Sequence, residues 1–303
     1  MRLAMPAGLY DDRTVIKDSL KLTHLASLLV IVATAAVTQW LAFGEQASSP
    51  LRRVQEGDVV RAGYALEPPF ALLDAEGKVS GEAPEVFRRV LARLGPGRIE
   101  WVHAEFGSLQ HELAAGRIDV IVSGLFITPE RARHMLFSRP TARVCPAFAV
   151  VAGNPLALHG HADLLRHPAA RLGVIAGAVE HDEARLAGVP LERLVAFPDP
   201  WSALAALRSG RIDAFALSSV SLRHALANTG GLEVISPLVA EPAPLPGRPA
   251  FAFRPQDGDL RDAVDEALGN WLGSREHMEL IARFGFTAAE LPGGAQGDAR
   301  CFR

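Results

Sequence analysis

Cysteine is nearly absent from the 303 residues: Cys145 and Cys301 are the only two. Nothing in their spacing requires a pair, and Cys301 falls in a Gly-rich tail, so unpaired thiols are the expectation. An excess of one charge is missing as well. The formal net charge of -3 leaves no basic surface for a nucleic acid and no polybasic patch for anionic membrane. No nucleophile elbow, phosphate-cradling glycine loop or pair of catalytic carboxylates occurs, so no catalytic residue, cofactor or metal is expected. His159, His161 and His167 lie close together, but no carboxylate or cysteine cluster accompanies them, and they read as a solvated loop. An unbroken apolar run of bilayer length is also lacking. The run from Leu25 to Val37 is interrupted by Thr38 and Gln39 and preceded by Lys17, Lys21 and His24. A span needs ~20 apolar residues, so residues 1–47 are expected to be a long leader with an export signal, an uncleaved anchor being the alternative. No cysteine follows this run, which argues against a lipid anchor.

What is present is a chain 49% hydrophobic, enough to fill two lobes of ordinary domain size. From Asp58 onward, strand-like and helix-like segments alternate. Val59 to Tyr64 is a strand, Pro84 to Leu94 an amphipathic helix ended by Gly95–Pro96, Ile99 to Val102 a strand, and Ser108 to Ala115 a helix. Such alternation calls for a mostly parallel sheet covered on both faces. The stretch from Gly116 to Arg131 is the most informative. A β-branched run, Ile118 to Val122, suits a strand buried on both faces. Thr128, Pro129 and Glu130 then make a helix start, which sets Arg131 in a first turn. A helix N-terminus with an arginine beside it suits a small anionic group. Part of this stretch recurs: Leu113–Ala114–Ala115–Gly116–Arg117–Ile118–Asp119 is matched by Leu207–Arg208–Ser209–Gly210–Arg211–Ile212–Asp213. Two lobes of similar build are one reading, and chance repetition of an ordinary helix–glycine–strand connection is the other.

Gly63–Tyr64 and Pro68–Pro69–Phe70 after the first strand, Gly81–Glu82 before the first helix, Gly116–Arg117–Ile118–Asp119, Ile127–Thr128–Pro129–Glu130–Arg131 and Phe137–Ser138–Arg139–Pro140 form a dense set. In these residues the chain from about Val59 to Phe286 resembles the family-3 extracellular solute-binding proteins, periplasmic receptors of ABC importers. The resemblance implies an α/β, two-lobed periplasmic-binding-protein fold of type II with two crossing hinge strands, near residues 143–151 and 247–253. Lobe 1 would comprise 51–143 plus 248–291, lobe 2 would comprise 144–247, and 292–303 would be a flexible tail. It implies a monomer in the periplasm that takes a small solute in its cleft and delivers it to permease subunits in the inner membrane, with Arg131 on the solute carboxylate.

Two departures bear on the solute. Amino-acid receptors of the family usually carry Gly-Thr-Thr where this chain has Gly177–Ala178–Val179–Glu180, and an aspartate where it has Ser218. Glu67, Phe70, Phe106, Phe126 and Arg131 instead look like the site of ectoine and hydroxyectoine receptors, in which three aromatic rings enclose a flat cationic ring. Ring faces attract such a cation at ~1–2 kcal/mol each when dry. The resemblance therefore places Glu67, Phe70, Phe106, Gly124, Phe126, Thr128 and Arg131 of lobe 1 at the site of a small zwitterion, with Val179, Glu180 and Ser218 reaching it from lobe 2. A polar amino-acid receptor and a periplasmic prephenate or arogenate dehydratase on the same fold are the alternatives.

Overall fold

The computed structural model describes residues 49–293 apart from 237 and 240–244, together with Thr34 and Cys301. The expected export segment thus lies, but for Thr34, outside the described residues. Among the described residues no helix is long and apolar enough to cross a membrane.

Twelve strands are described. In chain order they are β1 (Val59–Tyr64), the short hairpin β2 (Leu72–Leu73) and β3 (Val79–Ser80), β4 (Arg98–His103), β5 (Val120–Phe126), β6 (Leu136–Phe137), β7 (Pro146–Val151), β8 (Leu172–Ile175), β9 (Leu194–Phe197), β10 (Ala214–Ser218), β11 (Leu232–Ile235) and β12 (Pro249–Phe253). They form two five-stranded sheets, ordered β4-β1-β5-β12-β6 and β11-β7-β10-β8-β9. In the first, β1 runs parallel to β4 and β5, and β12 returns antiparallel from late in the chain. In the second, β8 is parallel to β9 and β10, and β7 is antiparallel to β10 and β11. Helices cover these sheets because each has one apolar face to bury. On the helix Glu82–Leu94, for instance, Val86, Phe87 and Val90 pack into one core with Phe251 of β12 and with Leu260, Val264 and Leu280 of the helices Gly258–Gly269 and Arg275–Ala282. The chain crosses between sheets twice. At the crossings Val144 and Gly247 bond each other through both backbone N–H groups, at 3.0 and 2.7 Å.

The sequence repeat has a structural cause. Asp119 N–H donates to the Arg61 carbonyl (2.8 Å) while its carboxylate accepts from the Arg61 N–H (2.9 Å). Asp213 does the same with Arg171, at 2.9 and 2.8 Å. In each sheet an aspartate after a left-handed glycine, Gly116 or Gly210, clamps the start of the neighbouring strand. Asp119 goes further and forms ion pairs with Arg53, Arg61 and Arg254. Burial alone would raise its pKa, but the hydrogen bonds from Arg61 and Arg53 outweigh that and hold it at about 2. Because the folded-state value lies below the unfolded one, the stability this acid contributes is complete above about pH 4 and lost as pH falls toward 2. Removing this buried carboxylate leaves three partly exposed arginines without their shared partner, so Asp119→Ala is expected to cost about 3 kcal/mol, read from urea unfolding at pH 7.

Four sequence expectations need correction. Thr128–Pro129–Glu130 does not open an α-helix: Arg131–Arg133 is a single 3-10 turn. Only four residues separate Arg131 from β6, whose pairing with β12 leaves no length over which a helix could repay its nucleation. The histidine segment is not a solvated loop. Residues His161–Arg166 are helical, the His161 ring stands edge-on to Phe148 at 5.2 Å, and burial lowers its pKa to about 4. No group of three or more metal-ligating side chains occurs among the described residues. Third, Leu194–Phe197 pairs with β8 as the strand β9, although no glycine bounds it and only Val195 in it is β-branched.

The fourth correction concerns cysteine, for Cys145 and Cys301 form a disulfide with Cα atoms 5.8 Å apart. It ties the end of the tail to the residue just before β7, whose carbonyl accepts from Ser219 N–H at 2.8 Å. The tail is therefore tethered at residue 301. A cross-link spanning 156 residues of chain restricts the unfolded ensemble strongly. Reduction, or Cys145→Ser, is expected to remove about 2–4 kcal/mol, seen as a fall in Tm of roughly 4–10 °C by thermal fluorescence.

Candidate functional site

The C-terminal end of β5 delivers the first part of the site. Phe126 ends the strand, and two residues on, the Thr128 hydroxyl accepts from the Arg131 N–H at 3.2 Å, closing the turn that aims the arginine back. Arg131 is 8% exposed. One terminal nitrogen of its guanidinium donates to the Phe126 carbonyl (2.7 Å), and the other donates to the carbonyl of Gly177 (2.8 Å), which follows β8 in the second sheet. One arginine thus spans the two lobes.

The loop after β1 delivers the second part. Glu67 and Ala71 exchange both backbone hydrogen bonds, at 3.0 and 3.1 Å, which pinches Pro68, Pro69 and Phe70 into a tight turn. The Glu67 carboxylate accepts from the Ser221 hydroxyl at 2.8 Å. Ser221 lies in the first turn of the helix Ser219–Leu226. Ser218, its N-cap, accepts from the Ser221 N–H (3.2 Å) and donates its own hydroxyl proton to the Ser221 oxygen (2.9 Å). Ser218 therefore positions Ser221, and Ser221 meets Glu67 across the cleft.

The third part is the helix Val179–Leu186, which carries Glu180 in its first turn at 5% exposure. Burial raises the Glu180 pKa to about 8, with the negative charges of Glu183 and Glu67 pushing the same way and Arg131 pulling back. Burial raises Glu67 to about 7 against the stabilising hydrogen bond from Ser221. Burial also lowers the Arg131 pKa, against Glu180, Asp182 and Glu130. Glu180 and Arg131 are thus held away from water between the lobes, with Glu67 half-buried beside them, and a buried charge without a partner is costly.

The three phenylalanines come from three different elements. Phe70 is fully buried, meets Phe286 edge-on at 5.5 Å, and lies over Gly124, where a Cβ would stand 2.6 Å from its ring. Gly124 also has φ +62°, so it is glycine for two reasons. Phe126 is half-buried with its ring over Gly247 of the returning crossing, where a Cβ would fall 2.2 Å away. Phe106 packs in a cluster that includes Ile175 and Ala178 of the second lobe. No ring contact among the three occurs between described residues. What they share is their chain neighbours: Phe70 follows Glu67 by three positions, Phe126 precedes Arg131 by five, and Phe106 adjoins Gly107. A Cβ on Gly107 would come 3.0 Å from the Ala176 carbonyl, and one on Gly177 would come 2.7 Å from Gly107 Cα. The lobes therefore meet backbone to backbone beside the charged groups.

Val179 and Thr128 also line a larger groove of about 880 Å³ together with Glu130, Asp182, Glu183 and Arg248. Ser221, Gly107 and the Gly177 carbonyl were not singled out from the sequence. The serine run Ser218–Ser219–Val220–Ser221 after a strand is a recognisable helix start, but nothing local says that its third hydroxyl faces an acid more than 150 residues away.

Comparison with known proteins agrees with this architecture. The pattern of the bacterial extracellular solute-binding proteins, family 3, matches residues 60–287. The probable amino-acid ABC transporter periplasmic-binding protein y4tE of Sinorhizobium fredii is 29% identical over 259 residues, which is 83% of this chain and 85% of that protein. The L-arginine-binding protein of Pseudomonas aeruginosa is 26% identical over 215 residues, 69% of this chain and 81% of its own. Among solved structures, EhuB in complex with hydroxyectoine superposes with a TM-score of 0.73 at 38% identity, covering 79% of this chain and 93% of that one. With two sheets joined by paired crossings and the family pattern matched over residues 60–287, the chain belongs to the bacterial extracellular solute-binding proteins, family 3.

Proposed function

We propose that the protein is the periplasmic receptor of an ABC importer and that it encloses ectoine, hydroxyectoine or a similar small zwitterion between its lobes. The observation that carries the reading is the convergence of Arg131, Glu67 and Glu180 at the lobe boundary, in a chain 38% identical to a protein solved with hydroxyectoine. Ectoine pairs a carboxylate with a positive charge spread over a cyclic amidine. The guanidinium fork suits the first, and two acids suit the N–H groups of the second. Phe70, Phe106 and Phe126 would supply the flanking rings, Gly124 the space for one of them, Thr128 the turn behind Arg131, and Val179 and Ser218 the second-lobe wall. Solute contacts made by both lobes favour the shut form, which the permease would read.

One observation favours a second reading. The acids outnumber the arginine two to one, which also suits a solute with two positive centres, such as the arginine bound by the Pseudomonas relative. A third reading, dehydration of prephenate or arogenate, would use a raised-pKa acid to protonate a leaving hydroxyl. A thermal-shift panel separates them. Ectoine and hydroxyectoine are expected to raise Tm by several degrees at 1 mM, with arginine and other amino acids without effect and no absorbance loss on incubation with prephenate. Stabilisation by arginine alone, or turnover of prephenate, would overturn the assignment.

A further inference from the structure

Charge balance inside the shut site says more about its solute than the shape of the site does. Glu67 and Glu180 contribute two potential negative charges and Arg131 one positive. Glu180 is 5% exposed and Arg131 8%, so water screens these two little, and Glu67 is half-buried beside them. The Arg131 fork is aligned by the Phe126 and Gly177 carbonyls, which are neutral and cancel no charge. Among the described residues the Glu67 carboxylate accepts one side-chain hydrogen bond, from the neutral Ser221 hydroxyl. Around this trio stand further groups. Glu183 faces Glu180, while Asp182 and Glu130 act on Arg131. His103, Glu105 and Asp199 line the groove that also contains Glu67. Arg133 and Arg248 line the groove that holds Glu130, Asp182 and Glu183, but both are exposed to solvent. Among the described residues neither they nor His103 make an ion pair with Glu67 or Glu180, so the surplus negative charge stands.

A solute with one carboxylate and one cationic group satisfies Arg131 and one of the two acids. The other acid then stays buried as an uncompensated anion, which costs several kcal/mol unless it is protonated. Resting on the receptor reading above, we infer that the Glu67/Glu180 pair keeps one proton when the lobes enclose a net-neutral solute, so that binding takes up about one proton per molecule from the buffer. The proton belongs to the pair, as expected for two interacting acids, and as a neutral acid the protonated partner donates a hydrogen bond to the solute. In the open cleft both acids are hydrated and ionised at neutral pH, since ordinary carboxyl groups titrate near pH 4. Closure therefore draws the proton in. A solute bearing a second positive centre balances the second acid and draws none.

Isothermal titration with ectoine at pH 7 in phosphate and in Tris, two buffers of different ionisation enthalpy, reads the proton directly from the change in apparent enthalpy. The expected slope corresponds to about one proton taken up, with Kd rising as much as tenfold per pH unit between pH 6 and 8. Glu180→Gln and Glu67→Gln are each expected to abolish the uptake and flatten the pH dependence, whereas His103→Asn leaves the uptake in place. Tight binding of ectoine with no buffer dependence overturns the inferred proton and leaves the receptor reading standing. Binding of arginine without proton exchange, and no binding of ectoine, overturns the reading itself and the inference with it.

Discussion

Arg131→Ala is expected to weaken binding of the zwitterion by roughly 100-fold or more, measured by calorimetric titration. Losing one partner of a buried charge pair costs about 3 kcal/mol, and each 1.4 kcal/mol is tenfold in affinity. Three contacts disappear with this side chain: the proposed grip on the solute carboxylate, the bond to the Phe126 carbonyl, and the bond to the Gly177 carbonyl that joins the lobes. Arg131→Lys restores the charge but not the fork that reaches the Phe126 and Gly177 carbonyls together. It is expected to recover only a small part of the loss. Affinity within a few-fold of the parent in both variants would remove the arginine from the account.

Gly107→Val is expected to weaken binding by about 10–100-fold through lobe contact alone. A bare Cβ at this position already stands 3.0 Å from the Ala176 carbonyl oxygen, and the two further methyl groups of valine enlarge the clash. Overpacking of this kind costs about 1–3 kcal/mol. Gly107 lies in the 3-10 turn Phe106–Ser108 of the first lobe, and its backbone is outside the left-handed region that demands glycine. The ligand-free lobe should therefore tolerate the substitution, and Tm without solute should move by no more than a few degrees. Gly177→Ala is a poorer test: its φ of +77° strains any other residue, so loss of binding there would mix strain with closure. An unchanged Kd in Gly107→Val would mean that binding does not require the lobes to meet at this contact.

The difference between these two glycines marks how far the sequence could be read. Strands β1 and β5 announce themselves as β-branched runs beside glycines. The matched Gly–Arg–Ile–Asp segments pointed to two lobes because each aspartate makes a local contact with the adjacent strand. The candidate residues Glu67, Arg131 and Glu180 stand out by their motif positions, and the structure brings them to the lobe boundary. What escaped was everything set by the meeting of distant segments. Ser221 matters only because the loop after β1 arrives opposite its helix, and Gly107 matters only because the turn at Gly177 lands on it. The disulfide was missed for the same reason, since Cys145 and Cys301 are neighbours only after the tail has folded back to the crossing. The short turn after Thr128 carried the residue signals of a helix start, and the pairing of β6 with β12 overrode them.

The account stands on a small doubly charged solute held at the lobe boundary with its carboxylate on residue 131. A crystal structure of the protein grown with ectoine tests that directly. The expected result is the solute carboxylate within hydrogen-bonding distance, about 3 Å, of both terminal nitrogens of the Arg131 guanidinium, with its ring against Phe70, Phe106 and Phe126 and its amidine nitrogens facing Glu67 and Glu180. Ectoine bound elsewhere, or bound here with its carboxylate out of reach of the Arg131 guanidinium and the three rings away from it, would contradict it.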